Sequence, residues 1–147
     1  MLWAILILAT LPWTANIALA KDPIYTSFMD NSAVGGYDVV SYYQDGGPKK
    51  GSDKFKTDYK GAEWFFTTKE NLEAFVAEPE KYAPQYGGYC AFAVAMNQTV
   101  KGDPLQWTFV EDKLYLNINA SIKEKWQSNQ DEFISRGDTN WPSLLAE

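Results

Sequence analysis

Two aromatic-rich runs, each interrupted by a turn-forming pair and each followed by a helix-start pattern, constrain the fold of this chain more than any other feature. Phe55 to Tyr59 and Ala62 to Phe66 flank Lys60-Gly61, while Trp107 to Val110 and Leu114 to Ile118 flank Asp112-Lys113. Aromatic and β-branched side chains suit a pleated, half-buried surface, and a short polar or glycine-bearing break between two such runs reads as a hairpin turn. Thr67 and Glu70 follow the first run at capping-box spacing, and Ser121 and Glu124 follow the second. Leu72, Phe75 and Val76 then share one helical face. Pro79 closes that helix, because the residue before a proline is pushed out of helical angles. Ile122, Trp126, Phe133 and Ile134 give a broken helical stripe, and Trp141-Pro142 with Leu144-Leu145 are expected to dock back onto the body. The pattern predicts an α+β fold: a compact single domain of short antiparallel β-hairpins packed with several short helices. No repeat, linker or low-complexity tract is visible.

The N-terminus carries a different signal. Leu2 to Leu11 is almost unbroken apolar sequence, Pro12 interrupts it, and Ala18-Leu19-Ala20 precedes Lys21 with small-x-small spacing. This predicts a signal peptide over 1–20, cut after Ala20, and a periplasmic or secreted domain over 21–147 with no stable membrane insertion. No Lys or Arg precedes the apolar run, and the competing reading is an uncleaved anchor, since a spanning helix needs about 20 apolar residues. The remaining chain can bury a real core: the sequence is 16% aromatic, and four of its 6 tryptophans follow Ala20. A formal net charge of −6 with scattered basic residues excludes nucleic acid as a partner, while an acidic surface attracts cations weakly. Nothing in the sequence specifies a protein partner.

Reactive chemistry has one candidate centre. Cys90 is the only cysteine, and it follows Tyr86-Gly87-Gly88-Tyr89 and precedes the apolar run Ala91 to Met96, which suits a short buried helix. A thiol at a helix start has its thiolate favoured by the backbone dipoles. Cys90 is thus either a soft-metal or redox thiol or a small buried hydrophobe. A zinc site is excluded, because zinc wants about four N or S ligands and this chain holds one thiol and no histidine. Copper(I) is less demanding. Met96 is its nearest thioether but falls on the opposite side of a regular helix, and Met29 is the other mature-chain thioether. Tyr37, Asp38, Tyr86 and Tyr89 form a second group, able to orient a small ligand. Their competing roles are tyrosines bonded to backbone and Asp38 capping a short helix through Tyr42 and Tyr43. Gly87 is expected at positive φ, and Gly88 is expected to let a ligand reach Cys90. Without a histidine base or a CxxC pair, no catalytic constellation is recognisable, and a non-enzyme is expected.

Several segments together resemble the secreted YHS-domain proteins. They are Gly36-Tyr37-Asp38, Tyr59-Lys60-Gly61-Ala62, Pro79 to Ala91, Gly102-Asp103-Pro104, Lys113 to Asn117 and Asn140-Trp141-Pro142. The resemblance implies a metal-binding module, with copper as the cofactor, centred here on Cys90. This chain departs from it in having no histidine and no second cysteine, and Val39 stands where relatives often carry proline. A structural or interaction module with an inert cysteine is the alternative, and a thiol-based redox protein a more distant one.

Overall fold

The computed structural model describes residues 20–147, so the expected leader, apart from Ala20, lies outside the described residues. Val34, Gly35 and Gly36 take left-handed conformations (φ 51, 58 and 79) and turn the chain into β1 (Tyr37–Asp38). A short 3-10 turn over Ser41–Tyr43 follows, and β2 (Lys49–Lys50) returns antiparallel to β1. Next come β3 (Ser52–Tyr59) and β4 (Ala62–Phe66), an antiparallel hairpin. Lys60 and Gly61, at φ 49 and 80, are the paired left-handed residues of a tight turn whose twist matches the strands. β4 alternates cleanly, with Ala62, Trp64 and Phe66 buried. Helices α1 (Lys69–Ala77) and α2 (Pro79–Tyr82) complete this half. Pro79 occupies the first turn of α2, where its missing N–H costs nothing, so the same proline ends one helix and starts the next.

The second half opens with Tyr86, Gly87 and Gly88 at φ 56, 62 and 86. It continues through α3 (Ala91–Ala95), the hairpin β5 (Asp103–Val110) and β6 (Lys113–Asn117), then α4 (Ala120–Gln127) and α5 (Gln130–Ala146). Three two-stranded antiparallel sheets with these helices make the fold α+β, as the residue pattern predicts.

The two halves follow one plan, which the sequence does not reveal as a repeat. Val34-Gly35-Gly36-Tyr37-Asp38 and Tyr86-Gly87-Gly88-Tyr89-Cys90 make the same left-handed turn into an extended pair. Tyr37 pairs antiparallel with Lys50, and Tyr89 with Lys101. Gly51 N–H donates to the Gly36 carbonyl at 2.9 Å, and Gly102 N–H to the Gly88 carbonyl at 3.2 Å. The hairpins then superpose in register at one constant offset. Ser52 faces Phe66 and Asp103 faces Asn117. The same irregularity follows in each, with Lys56 opposite Phe65 and Trp107 opposite Leu116. The repeat is carried by backbone angles and pairing, and few side chains outside the two Gly-Gly-Tyr triplets are shared.

Local corrections follow from that geometry. The second turn is Glu111-Asp112, at φ 50 and 61, because the two-residue turn needs both residues left-handed and Lys113 is already paired with Val110. The helix caps are Thr68, accepting from Asn71 N–H, and Asn119, accepting from Ile122 N–H. Thr67 does not cap because its hydroxyl is engaged by Asp38, and Ser121 already lies inside the first turn of α4. Trp141-Pro142 and Leu144-Leu145 belong to α5, which runs through Pro142.

Two apolar clusters result. The first holds Val39, Trp64, Phe66, Phe75, Leu114 and Leu116; the second holds Tyr86, Tyr89, Val94, Tyr115, Trp126 and Leu144. β6 divides them. Leu114 and Leu116 face one cluster and Tyr115 the other, so its side chains are buried on both faces.

Candidate functional site

Asp38, in the first half, is fully buried and has all its acceptor capacity engaged. Its Oδ1 accepts from Val40 N–H at 2.9 Å and Ser41 N–H at 3.3 Å. Its Oδ2 accepts from Thr67 N–H at 2.9 Å, the Thr67 hydroxyl at 2.8 Å and Asn71 Nδ2 at 2.7 Å. Ser41 extends the cluster by donating its hydroxyl to the Asp38 carbonyl at 2.6 Å and accepting from Lys49 N–H at 2.9 Å. A carboxylate removed from water needs this many donors to remain stable. The side chain thereby joins the turn after β1 to the start of α1. It has no oxygen free for a ligand; its bonds to Val40 and Ser41 N–H tie down the start of the 3-10 turn, but the N-cap of that turn is Val40, without a side-chain cap, which corrects the expectation that Asp38 caps it.

Cys90 occupies the corresponding place in the second half, and its surroundings are different. It precedes α3, is 1% exposed, and its Sγ lies 3.5 Å from Asn117 Oδ1. Phe92 N–H donates to the same oxygen at 3.1 Å, which fixes the amide orientation. Asn117 Nδ2 has no hydrogen-bond partner among the described residues, and neither has Trp126 Nε1. The donor set does not fit a metal ion. Around the single thiol stand an amide and apolar side chains, and among the described residues no three His, Cys, Asp or Glu side chains are placed to share an ion. Met96 caps the end of α3 and faces a surface depression beside Arg136, while Met29 is 78% exposed on the lead-in loop. Neither thioether joins Cys90.

The tyrosines are spent separately. Tyr86 donates its hydroxyl to Asp138 Oδ1 at 2.9 Å, and burial, reinforced by that carboxylate, holds its pKa well above the phenol range. Gly137 makes room for it on α5, since a Cβ there would stand 2.5 Å from the Tyr86 oxygen. Tyr89 donates to the Asp22 carbonyl at 3.1 Å and packs edge-on against Tyr25. Tyr37 lies in the first half, with Lys50 Nζ 4.6 Å above its ring. Tyr37 and Asp38 on one side, and Tyr86, Tyr89 and Cys90 on the other, thus serve different clusters.

The glycine pair is architectural at both positions. A Cβ on Gly87 would fall 1.8 Å from the Pro23 carbonyl oxygen, because the lead-in segment crosses here and Tyr25 N–H donates to the Gly87 carbonyl. Gly88 is at φ 86, and its Cβ would meet Pro84 and Leu116 at 3.5 and 3.8 Å. It is therefore required for its backbone angle, which corrects the expectation that it opens a path to the thiol. Sequence reasoning missed Asn71 and Asn117. Asn117 carried a signal, as a lone amide at the end of the apolar strand Leu114-Tyr115-Leu116.

With this geometry in place, comparison with known proteins gives a class and a boundary. Residues 40–86 match the family model of the YHS domain, the family that the sequence resembles, so a YHS domain is present in the first half of the chain. That domain is associated with metal binding, copper in particular. The matched segment ends at Tyr86, ahead of the second glycine pair and Cys90. No curated protein and no solved structure matches the chain.

Proposed function

We propose that this protein is an exported, non-catalytic interaction module built on a YHS domain, with Cys90 as a packing residue. The observation that carries this reading is the closure of the thiol: 1% exposed, turned to Asn117, and without a second soft ligand beside it among the described residues. Free cysteine commonly plays this part in cores. The polar cluster at Asp38 supports the same conclusion, because every acceptor position there is used by the protein itself.

Labelling of native protein by a thiol reagent is expected to proceed no faster than global unfolding. Copper(I) titrations of wild type and Cys90→Ser are expected to coincide. Rapid native labelling, together with copper binding that Cys90→Ser abolishes, would overturn this reading in favour of a weak copper or small-ligand site at Cys90. That second reading draws its support from the association of the YHS domain with metals. For export, N-terminal sequencing of the secreted product is expected to begin at Lys21. Recovery of full-length chain in the membrane fraction would make the leader an anchor.

A further inference from the structure

We infer that Asn117 and Trp126 share one buried water molecule, bound between β6 and α4 at the point where the first half packs two aromatic rings. This goes beyond the function proposed above and holds whether Cys90 is inert or reactive.

Asn117 and Trp126 are each 0% exposed, and Asn117 Nδ2 and Trp126 Nε1 are the buried side-chain donors without a hydrogen-bond partner among the described residues. Leaving one such N–H without an acceptor costs about 1–3 kcal/mol, so folded cores supply one. Turning the amide over does not help. Asn117 Oδ1 accepts from Phe92 N–H at 3.1 Å, and the turned amide would set a donor against that N–H.

The internal repeat brings the two donors together. The offset that matches Phe66 with Asn117 in the hairpins continues into the helices. There it matches the caps Thr68 and Asn119, and then Phe75 of α1 with Trp126 of α4. Side-chain packing obeys the same offset. Trp64 stacks on Phe75 with ring centroids 4.8 Å apart and 30° between planes, and their counterparts Tyr115 and Trp126 stand 5.1 Å apart at 39°. Phe66, on the same strand face as Trp64, also meets Phe75, at 5.1 Å between centroids. Its counterpart Asn117, on the face of Tyr115, is thereby a neighbour of Trp126.

The exchange of residues makes room as well as polarity. Asn117 stands where the Phe66 ring does and Cys90 where Asp38 does, each the smaller side chain, and the second ring of Trp126 offsets this only in part. One water takes about 30 Å3 and needs two to four polar partners. It accepts from both N–H groups at once, and the Cys90 thiol beside the amide is a weak acceptor for one of its protons. An anion fits less well. Both donors are neutral, and the ammonium of Lys125 lies over the ring of Phe92, 5.1 Å from its centroid, so a buried charge would have no ion to pair with. In the first half the protein supplies its own acceptor, the Asp38 carboxylate; in the second it binds one.

Water–protein ROE spectra of the native protein test the site, since they separate a bound water from proton exchange by sign. The Trp126 indole N–H and the Asn117 side-chain amide are both expected to show cross-peaks to a long-lived water. Trp126→Phe installs the residue of the first half, keeps a ring beside Tyr115 and removes one donor. It is expected to shorten the residence of the water about fivefold, the loss of one hydrogen bond, and to weaken the Asn117 cross-peak with it. If that variant does not fold, a crystal structure of the wild type decides, with one water expected within hydrogen-bond distance of both nitrogens. Cross-peaks at only one group or at neither, an unchanged Asn117 cross-peak in the folded variant, or a crystal structure with separate waters or none would overturn the proposal. A saturable shift of both N–H resonances by sodium bromide, absent with sodium sulfate, would overturn it in favour of a halide ion.

Discussion

The Asp38 cluster and the Cys90 cluster sit at matching points of one backbone plan and are stabilised in opposite ways. In the first half a single carboxylate takes five hydrogen bonds and joins the turn after β1 to the start of α1. In the second half a thiol and one amide replace it, and two buried N–H donors, on Asn117 and Trp126, have no partner among the described residues. Aromatic packing does the joining there. Tyr86 contacts Tyr115 and Trp141, Tyr89 contacts Tyr25 and Trp141, and Tyr115 tilts onto Trp126 at 5.1 Å. The comparison teaches that the left-handed turn and the hairpin register define the plan, and that either polar or aromatic contacts can fasten it.

The sharpest way to break this comparison is to remove both centres. Asp38→Ala would leave the N–H groups of Val40, Ser41 and Thr67 without their acceptor. The expected loss is on the order of 4 kcal/mol, enough to unfold much of the population. Cys90→Ala deletes one small buried group and is expected to cost about 1–2 kcal/mol. Urea unfolding of the two variants reads the difference, and equal losses would mean that the second centre is as polar in its energetics as the first.

The glycine turns come next. Gly87→Ala adds a backbone collision with Pro23 to a left-handed conformation, so its loss should exceed the ~1–2 kcal/mol of the conformation alone. At the matching Gly35 the nearest atom is a proline side-chain carbon at 3.1 Å, and the expected loss stays near ~1–2 kcal/mol. Melting temperatures that rank the two the other way would remove the lead-in segment from the stabilising contacts of the second half.

The smallest effect is alkaline. Burial raises the pKa of Tyr43 in the first half and of Tyr115 in the second to about 12 each, from 10.0. The unfolded chain releases these protons first, so stability is fully present below pH 10 and falls as the pH rises from there to about 12. Tyrosinate absorbance should lag behind that of free tyrosine in both halves. Tyr43→Phe and Tyr115→Phe should each flatten the decline, and a decline unchanged by both would place its origin elsewhere.

Much of the scaffold was legible along the chain, because hairpins and short helices are local. Lys60-Gly61 announced its turn, since glycine tolerates the left-handed angle, and Ala91 to Ala95 announced a buried helix by its unbroken apolar run. The second turn was misplaced by one residue because Glu111 takes a left-handed angle that its side chain does not advertise. The caps shifted because Thr67 was claimed by Asp38, a partner distant in sequence. The repeat was hidden for a related reason. Backbone pairing registers are shared between the halves, while the side chains at matching points, Asp38 and Cys90 or Phe66 and Asn117, have different chemistry.

The sequence by itself determined the α+β class, the two hairpins, the resemblance to YHS domains and the absence of any histidine from the chemistry. Only the tertiary structure decided what the candidate residues face. It buried Cys90 against Asn117, saturated Asp38, and separated Met96 from the thiol. The physical reason is range. Periodicity and turn chemistry act over a few residues and can be read in order, whereas burial, a hydrogen-bond partner or a shared electrostatic field depends on which distant segments the fold brings within a few ångströms.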